Sequence, residues 1–360
     1  MHLDKAQNDI QNGVQNETQN NAQNEIRADD IVRINQSTLI GLNRDARQLP
    51  LHSARIRAQF NGQYLSTFKG RGMEFDESRP YQAGDDIRAI DWRVTARTGH
   101  THTKIFREER ERPVLLWVDY RQPMFFGTQQ HFKSVLAAKI SALLAWSTSH
   151  HGDRLGGLIF SETSHIELRP ARGKSASLHF IKQLAQHSAW NKTDNSTSDI
   201  TNGIKSAADS LGRLQQVSKP GSLIFLISDF RNMDDLCWSQ ISKLSRNSDV
   251  ILISIHDPLE QQLPPAGHYK ISNGETELNL NTYNKKQREV YQQRFLTQQA
   301  QLENTSRKMG MHYISISTAD DALLTLQQKL GISAMSKSKA GHNTTGHNTK
   351  GKNTTGSNRK

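Results

Sequence analysis

Residues 114–119 are Val-Leu-Leu-Trp-Val-Asp, a short apolar run with β-branched residues that ends in an aspartate. Such a run predicts a buried parallel strand, because a strand that is covered on both faces carries apolar side chains at successive positions. A helix is expected next. Between His131 and Trp146, apolar residues recur at the spacing that places one apolar stripe along a helix. The first strand and the first helix of an α/β domain are therefore predicted here.

The same alternation of elements continues to residue 330. Further strands are predicted over 154–160, 165–168, 223–227, 250–255 and 313–316, and further helices over 178–184, 204–214, 233–244, 285–309 and 319–330. Strands that alternate with helices through short connections form an open, mostly parallel sheet with helices on both faces. The predicted fold class is a three-layer α/β domain over residues 113–332.

The parts of the chain outside this domain have different compositions. Residues 31–112 are rich in Arg, Asp and Gly and have only brief apolar stretches, so we expect a small, β-rich lobe. Between residues 7 and 24 the dipeptide Gln-Asn recurs every four residues, and residues 341–355 form a five-residue polar repeat. Because these segments offer almost no apolar surface for burial, residues 1–30 and 333–360 are predicted to be disordered tails.

A signature of many different residue types occupies the lobe. Its members are Gly72, Glu74, Phe75, Arg79, Tyr81, Gly84, Asp85, Asp86, Arg88, Asp91, Trp92, Arg93, Arg97 and Glu109. No general motif for catalysis demands so many residue types at once. In this order, and followed by the strand that ends at Asp119, the signature resembles the bacterial family known as domain of unknown function 58. Members of that family continue into a von Willebrand factor A-like domain.

The resemblance covers roughly residues 50–330 and implies a function. It implies a cytosolic protein that works with a MoxR-type AAA+ ATPase and with other von Willebrand factor A-like proteins. The role implied is chaperone-like maturation or assembly of other proteins. On this basis we expect a protein-binding module without enzymatic activity.

The resemblance also implies a place for a metal site. In von Willebrand factor A-like domains, a D-x-S-x-S motif after the first strand, a later Thr and a later Asp form a metal-ion-dependent adhesion site. Here Asp119 matches the first aspartate, Asp229 matches the later one and Thr201 is a candidate for the threonine, but Arg121 and Pro123 replace the two serines. Proline has no side-chain oxygen and arginine brings a fixed positive charge. We expect a degenerate site that binds Mg²⁺ weakly at most, and no other cofactor.

Arg121 is expected to act as a built-in substitute for the metal. It can pair with Asp119 or with Asp229, which would leave a metal-free surface at the same location. The predicted partner-binding face is the carboxyl end of the sheet around Asp119, Arg121 and Asp229. There the planar guanidinium of Arg121 would receive a carboxylate of the partner directly.

A different class of function remains open for the carboxylates of the signature. Asp85, Asp86 and Asp91 could hold metal ions in a hydrolase or nuclease. They alternate with the arginines of the signature, however, and bidentate ion pairs with those arginines would make the cluster structural. We favour the ion-paired network, with Trp92 as a packing anchor. Carboxylates that are free in a cleft, rather than paired, would favour the enzyme.

The charge of the chain leaves nucleic-acid binding as another alternative. There are 46 basic and 35 acidic residues, which gives a formal net charge of +11. A basic protein attracts anionic partners through long-range electrostatics. The signature arginines alternate with acidic residues rather than with exposed aromatic residues, so nucleic acid is not the favoured partner.

The single cysteine and the opening residues predict a cellular compartment. Cys237 cannot form an intramolecular disulfide, and its apolar helical surroundings predict a small buried residue rather than a nucleophile. No basic start followed by an apolar run is visible, and no stretch reaches the ~18 apolar residues of a membrane span. A soluble cytoplasmic protein is expected.

Overall fold

The structure is a computed structural model that describes residues 30–49, 51, 73–82, 84–108, 113–191, 200–272 and 277–330. The strands, in chain order, are β1 (Met73–Pro80), β2 (His102–Glu108), β3 (Pro113–Asp119), β4 (Arg154–Phe160), β5 (His165–Arg172), β6 (Leu223–Ser228), β7 (Asp249–His256), β8 (His268–Ser272), β9 (Glu277–Asn281) and β10 (His312–Ser317). The helices are α1 (Gln36–Gly41), α2 (Asn43–Ala46), α3 (Trp92–Thr98), α4 (Lys133–His150), α5 (Gly173–Gln186), α6 (Ile200–Val217), α7 (Asp235–Asn247), α8 (Pro258–Gln261), α9 (Lys285–Lys308) and α10 (Ala322–Lys329).

A six-stranded sheet forms the centre of the described part of the chain. Its strand order is β5-β4-β3-β6-β7-β10, and all neighbours are parallel except the antiparallel pair β4 and β5. From β3 the chain first proceeds to one side, through β4 and β5, and later to the other, through β6, β7 and β10. The junction of β3 and β6 is therefore a topological switch point. The predicted open, mostly parallel sheet is confirmed.

Helices cover both faces of this sheet and create two apolar cores. One core joins the sheet to α4, α5 and α10, and the other joins it to α6, α7 and α9. Cys237 is buried in the second core, and burial is the main cause that raises the pKa of its thiol to about 12. The three-layer prediction is confirmed, and Cys237 is the small buried residue that its surroundings indicate.

Helix α4 is buried around its whole circumference, whereas the sequence predicts a single apolar stripe. Even its serines Ser134, Ser141 and Ser147 are buried, and Ser141 donates a hydrogen bond to the carbonyl of Ala137 at 2.7 Å. The cause is a second layer of structure outside the helix. Helix α5 contacts α4 through a 2.8 Å hydrogen bond from Ser177 to the carbonyl of Ala145.

Residues 30–49 and 51 belong to the same layer, so they pack with the α/β domain, although the sequence assigns them to the lobe predicted over 31–112. Leu39, Leu49 and Leu51 are buried in the core around α4. The indole of Trp146 donates a 3.0 Å hydrogen bond to the carbonyl of Leu39. The apolar residues of this segment are too few to show a periodic pattern, and only their contact with α4 reveals their role.

The rest of the lobe is small. Strands β1 and β2 form an antiparallel pair, and α3 lies between them in the chain. A second antiparallel pair, β8 and β9, lies between β7 and α9 and was not predicted, because its polar composition hides the strand pattern. The predicted tails 1–30 and 333–360 lie outside the described residues, apart from Asp30.

The packing of α1 on α4 can be tested with two neighbouring residues. Leu39 is fully buried and Ile40 is 37% exposed. We expect Leu39→Ala to lower the free energy of unfolding by about 2–5 kcal/mol, because it leaves a cavity in the core. Urea denaturation measures the loss, and Ile40→Ala is the matched control with a much smaller effect. Equal losses for both variants would show that α1 is not part of this core.

Candidate functional site

Asp119 and Asp229 leave the sheet side by side. Strands β3 and β6 are parallel neighbours with Val118 opposite Ile227, so the last residue of β3 and the residues after Ile227 lie at the same carboxyl edge. This confirms the predicted placement of both aspartates. The position is also the topological switch point, where ligands of open α/β sheets usually bind.

The carboxylate of Asp119 is fully engaged beneath the surface. Arg121 donates to it from Nη2 at 2.7 Å and from Nε at 3.0 Å, and the backbone N–H of Arg121 adds a bond of 2.9 Å. The hydroxyl of Ser228 donates to the same carboxylate at 2.6 Å. Asp119 has no exposed surface and Arg121 is 2% exposed. Of the two pairings expected for Arg121, the one with Asp119 is found.

The remaining donors of Arg121 connect three segments. Nη1 donates to the carbonyl of Gly203 in α6 at 3.4 Å, and Nη2 donates to the carbonyl of Arg231 at 3.2 Å. The guanidinium also lies over the ring of Phe160, 5.7 Å from its centroid. Burial by itself would lower the pKa of Arg121, but attraction to Asp119 outweighs burial and raises the pKa. The guanidinium is therefore a permanent charge that links β3, β4, α6 and the loop after β6.

A second buried cation, Lys133, was not predicted. Its ammonium group has no exposed surface and lies 2.8 Å from a carboxylate oxygen of Asp229 and 2.8 Å from one of Glu260. Burial would raise the pKa of Asp229, but the charge and hydrogen bond of Lys133 outweigh burial and lower it. A signal was present in the sequence: Lys133 precedes Leu136 by three residues, which places it on the apolar side of the helix.

The network continues beyond Glu260 to the ends of β7 and β10. The other carboxylate oxygen of Glu260 accepts from the backbone N–H of Asp257 at 3.0 Å, and Arg231 lies 3.3 Å from Glu260. Asp257 itself accepts from the hydroxyl of Thr318 at 2.6 Å and from the backbone N–H of Thr128 at 2.9 Å. Burial would raise the pKa of Asp257, but the hydrogen bonds from Thr128 and Thr318 outweigh it and lower the pKa.

The loop after β6 has an unusual backbone. Phe230 and Asn232 both have left-handed conformations, with φ of 54° and 53°. For residues other than glycine, such conformations cost about 1–3 kcal/mol each and persist only where the surroundings enforce them. Here the carboxylate of Asp229 accepts from the N–H of Arg231 at 3.0 Å, and the carbonyl of Arg231 accepts from Arg121. The buried charges therefore hold the loop in shape.

These contacts decide whether the site fits a divalent metal ion. Both carboxylate oxygens of Asp119 accept from Arg121, and one oxygen of Asp229 accepts from Lys133. Pro123 supplies no oxygen in place of the missing serine. A dication at this site would need the oxygens of Asp119, and the guanidinium of Arg121 already occupies them. The residues present therefore do not fit Mg²⁺. Within the described part of the chain, no cluster of three or more His, Cys, Asp or Glu side chains is arranged to hold a metal.

Thr201, the candidate for the third metal-site residue, lies in the first turn of α6 and is exposed. The same turn contributes to the site in another way. The carbonyl of Gly203 accepts from Arg121, so a backbone oxygen contacts the built-in cation.

The three residues predicted to bind a partner are buried. Asp119, Arg121 and Asp229 are 0%, 2% and 6% exposed, respectively. A partner's carboxylate cannot reach the guanidinium of Arg121, because the guanidinium is covered and its donors are used inside the protein. The expectation that a partner contacts these three residues directly is therefore wrong. The side chain of Arg231 is 40% exposed and is the part of the network that reaches the surface.

The carboxylates of the signature are also engaged locally. Asp85 lies 2.7 Å from Arg79 and accepts from the backbone N–H of Gln82 at 2.9 Å, and these bonds, the backbone bond foremost, lower its pKa. The predicted ion pair is found for Asp85. Asp86 instead caps a short 3-10 helix by accepting from the backbone N–H of Arg88 at 3.0 Å.

Asp91 finds partners other than the predicted arginines. It is 6% exposed and accepts from the hydroxyl of Ser78 at 2.9 Å and from the backbone N–H groups of Arg93 and Val94 at 3.1 and 3.2 Å. Asp91 is thus the N-cap of α3. Because Asp91 takes the inward position, the next residue points outward, and Trp92 is 69% exposed. The expectation that Trp92 anchors packing is wrong.

Other signature residues have a conformational role or lie outside the description. Gly84 has φ of +107°, which residues with a side chain rarely adopt. Gly72 and Glu109 lie outside the described residues, as do the side chains of Glu74 and Phe75.

A three-layer α/β domain with this sheet order, and with aspartates after β3 and β6, is a von Willebrand factor A-like domain. The chain belongs to the family described as proteins of unknown function DUF58, whose model matches residues 77–301. Uncharacterized proteins of Mycobacterium bovis and of Mycobacterium tuberculosis are each 28% identical over 217 residues, which is 60% of this chain. The match spans 65% of the length of these relatives.

Solved structures with a similar fold have low sequence identity. BatB from Bacteroides thetaiotaomicron has a TM-score of 0.40 and 14% identity, with 61% of this chain and 98% of that chain covered. An aerotolerance-related membrane protein from Bacteroides fragilis has a TM-score of 0.38 and 15% identity, with coverages of 61% and 99%. A von Willebrand factor type A protein from Catenulispora acidiphila has a TM-score of 0.33 and 11% identity, with coverages of 64% and 43%. Among the described residues of the present chain, no helix has the length and apolar composition needed to cross a membrane.

The role of Lys133 can be tested by removing its charge. We expect Lys133→Met to lower the free energy of unfolding at neutral pH by about 3–5 kcal/mol, because Asp229 and Glu260 keep buried charges without their cation. Urea denaturation measures the loss. In the wild type, the lowered pKa of Asp229 adds stability above the ordinary carboxyl range, and this contribution disappears as the pH falls through the lowered pKa.

The matched control removes all three charges of the cluster formed by Lys133, Asp229 and Glu260. The triple variant Lys133→Met/Asp229→Asn/Glu260→Gln should regain most of the stability, because no unpaired charge remains buried. The single variant should also lose less stability at acidic pH, where the two carboxylates can take up protons. A triple variant as unstable as the single variant would show that packing of the lysine, not charge, is decisive.

Metal binding is the second property that the site predicts. Calorimetric titration of the wild type with Mg²⁺ or Mn²⁺ should show no binding in the low micromolar range, because Arg121 occupies the oxygens of Asp119. The double variant Arg121→Ser/Pro123→Ser restores both hydroxyls and leaves Asp119 without a cation. Its melting temperature should rise when Mg²⁺ is added, while that of the wild type should not change. Tight Mg²⁺ binding by the wild type would contradict the built-in cation.

Proposed function

We propose that this chain is a non-enzymatic protein-interaction module in the cytoplasm. Its partners would be a MoxR-type AAA+ ATPase and other von Willebrand factor A-like proteins, in chaperone-like maturation or assembly of further proteins. The observation that carries the proposal is the closed charge network at the switch point of a von Willebrand factor A-like sheet. In an adhesion site a metal would need the carboxylate of Asp119, and here both oxygens of that carboxylate accept from Arg121.

The network supports a fixed, metal-independent interface. Arg121 and Lys133 hold the loops after β3 and β6 from inside, so the outer side chains of those loops need little ordering when a partner binds. These outer groups include Arg231, which is partly exposed, and Leu236 in the first turn of α7, which is 54% exposed. Arginine is among the residues that are enriched at protein interfaces.

The enzyme alternative receives less support. Of the three carboxylates proposed for a hydrolase or nuclease, Asp85 is paired with Arg79 and Asp91 caps α3. These bonds use oxygens that a catalytic metal would need. The shared edge of the α/β sheet, rather than the lobe's carboxylates, is therefore the surface on which the proposed function rests.

Variants at the exposed rim test the proposal. Purified chain and the MoxR-type ATPase of the same organism should form a complex that persists in EDTA, because no metal bridges the partners. Leu236→Asp and Arg231→Gln should each weaken the complex at least tenfold, measured by surface plasmon resonance. Ile40→Asp is the matched control, since Ile40 is 37% exposed and lies on α1, which bonds to Trp146 at the end of α4 opposite Lys133.

Two outcomes would contradict the proposal. Failure of the wild type to bind the ATPase would remove the proposed partner. A complex that is unchanged by Leu236→Asp and is lost on removal of residues 336–360 would place the interface in the terminal segment. The melting temperatures of Leu236→Asp and of the control should stay near that of the wild type, because their substituted side chains are exposed. Arg231→Gln also removes the ion pair with Glu260, so its melting temperature is measured to separate lost binding from lost stability.

A further inference from the structure

In the lobe, two acidic side chains point inward and three arginine side chains point outward. The alternation of acids and arginines in the sequence does not show this separation. The acids Asp85 and Asp91 bond inward to Arg79, Ser78 and backbone N–H groups. The arginines that alternate with them in the sequence point the other way: Arg88, Arg93 and Arg97 are exposed. None of these three arginines forms an ion pair with another described residue.

This arrangement is electrostatically unfavourable for the lobe alone. Arg93 and Arg97 lie four residues apart on α3, where two like charges repel each other. An anionic group bound across Arg93 and Arg97 would relieve this repulsion.

Two exposed apolar side chains lie next to these arginines in the chain. Trp92 is 69% and Ile87 is 68% exposed, the highest values among the large apolar side chains of the described residues. Their backbone is held firmly: Asp91 caps the start of α3, and Gly99, with φ of 75°, ends it by donating to the carbonyl of Thr95 at 2.9 Å. Trp and Arg are the residues most enriched at the energetic centres of protein interfaces.

We infer that this surface, formed by Ile87, Arg88, Trp92, Arg93 and Arg97, docks an acidic segment of a partner protein that presents an apolar side chain. The charge of the surface calls for an anionic partner, and Ile87 with Trp92 calls for an apolar anchor. The residues of this surface are different from those at the carboxyl edge of the sheet, and the inference does not depend on the proposed function.

A protein segment fits this surface better than the other anionic macromolecules. Proteins that bind single-stranded nucleic acid stack successive bases on several aromatic side chains, and here one aromatic residue stands beside an aliphatic one. A membrane surface is bound by longer amphipathic helices with a broad apolar face. Helix α3 has 7 residues, and the exposed carboxylate of Asp86 borders the surface.

Fluorescence anisotropy with the full chain tests the inference. The probe is a labelled 12-residue peptide with six glutamates around two leucines. We expect binding that weakens as salt increases, because the contact is largely between exposed charges. Trp92→Ala and the double variant Arg93→Gln/Arg97→Gln should each weaken binding at least tenfold. The matched controls Leu296→Ala and Arg213→Gln, which change exposed residues elsewhere, should bind like the wild type.

Comparison probes decide between the partner classes. Peptides with lysine in place of glutamate, or with serine in place of leucine, should bind at least tenfold more weakly than the acidic probe. No binding of the acidic probe at millimolar concentration, or binding that both lobe variants retain, would overturn the inference. So would tighter binding of a 12-nucleotide oligothymidylate, or of phosphatidylglycerol vesicles, that the same variants abolish.

Discussion

The burial of two cations at one edge of a sheet is the constraint on which the rest of this structure depends. Arg121 and Lys133 have almost no exposed surface, and each is matched by carboxylates at distances of 2.7–2.8 Å. A buried charge that loses its partner costs about 3–5 kcal/mol, so the loop that carries Asp229 and the short helix α8 that carries Glu260 have little freedom to move. The left-handed residues Phe230 and Asn232 persist under this constraint.

The same constraint changes what a von Willebrand factor A-like edge can do. A metal-ion-dependent site keeps a coordination position open for a partner's carboxylate, whereas a guanidinium bonded on all sides keeps none. In this DUF58 protein, the first-strand aspartate serves the fold by holding Arg121. Recognition at this edge then depends on side chains above the network, such as Arg231 and Leu236. Such recognition would not respond to the concentration of divalent metal.

The lobe also turns acidic side chains inward, but it leaves its arginines Arg88, Arg93 and Arg97 exposed. At the sheet edge, cations and carboxylates are buried together and cancel. In the lobe, Asp85 and Asp91 are satisfied internally, partly by backbone N–H groups, and the arginines that alternate with them remain outside. A backbone N–H group satisfies a carboxylate oxygen by hydrogen bonding without using an arginine. The lobe therefore presents a net positive surface with two apolar side chains, although its sequence contains opposite charges in alternation.

The sequence by itself determined the three-layer α/β fold, the shared edge of Asp119 and Asp229 and the pairing of Arg121 with a nearby aspartate. These follow from strand and helix periods and from a contact between residues two positions apart, which are local properties. Only the tertiary structure decided that Lys133 bridges Asp229 and Glu260, that residues 30–49 and 51 cover α4, and that Asp91 is buried while Trp92 is exposed. Each of these depends on which distant segment covers a side chain, and no period along the chain specifies that contact.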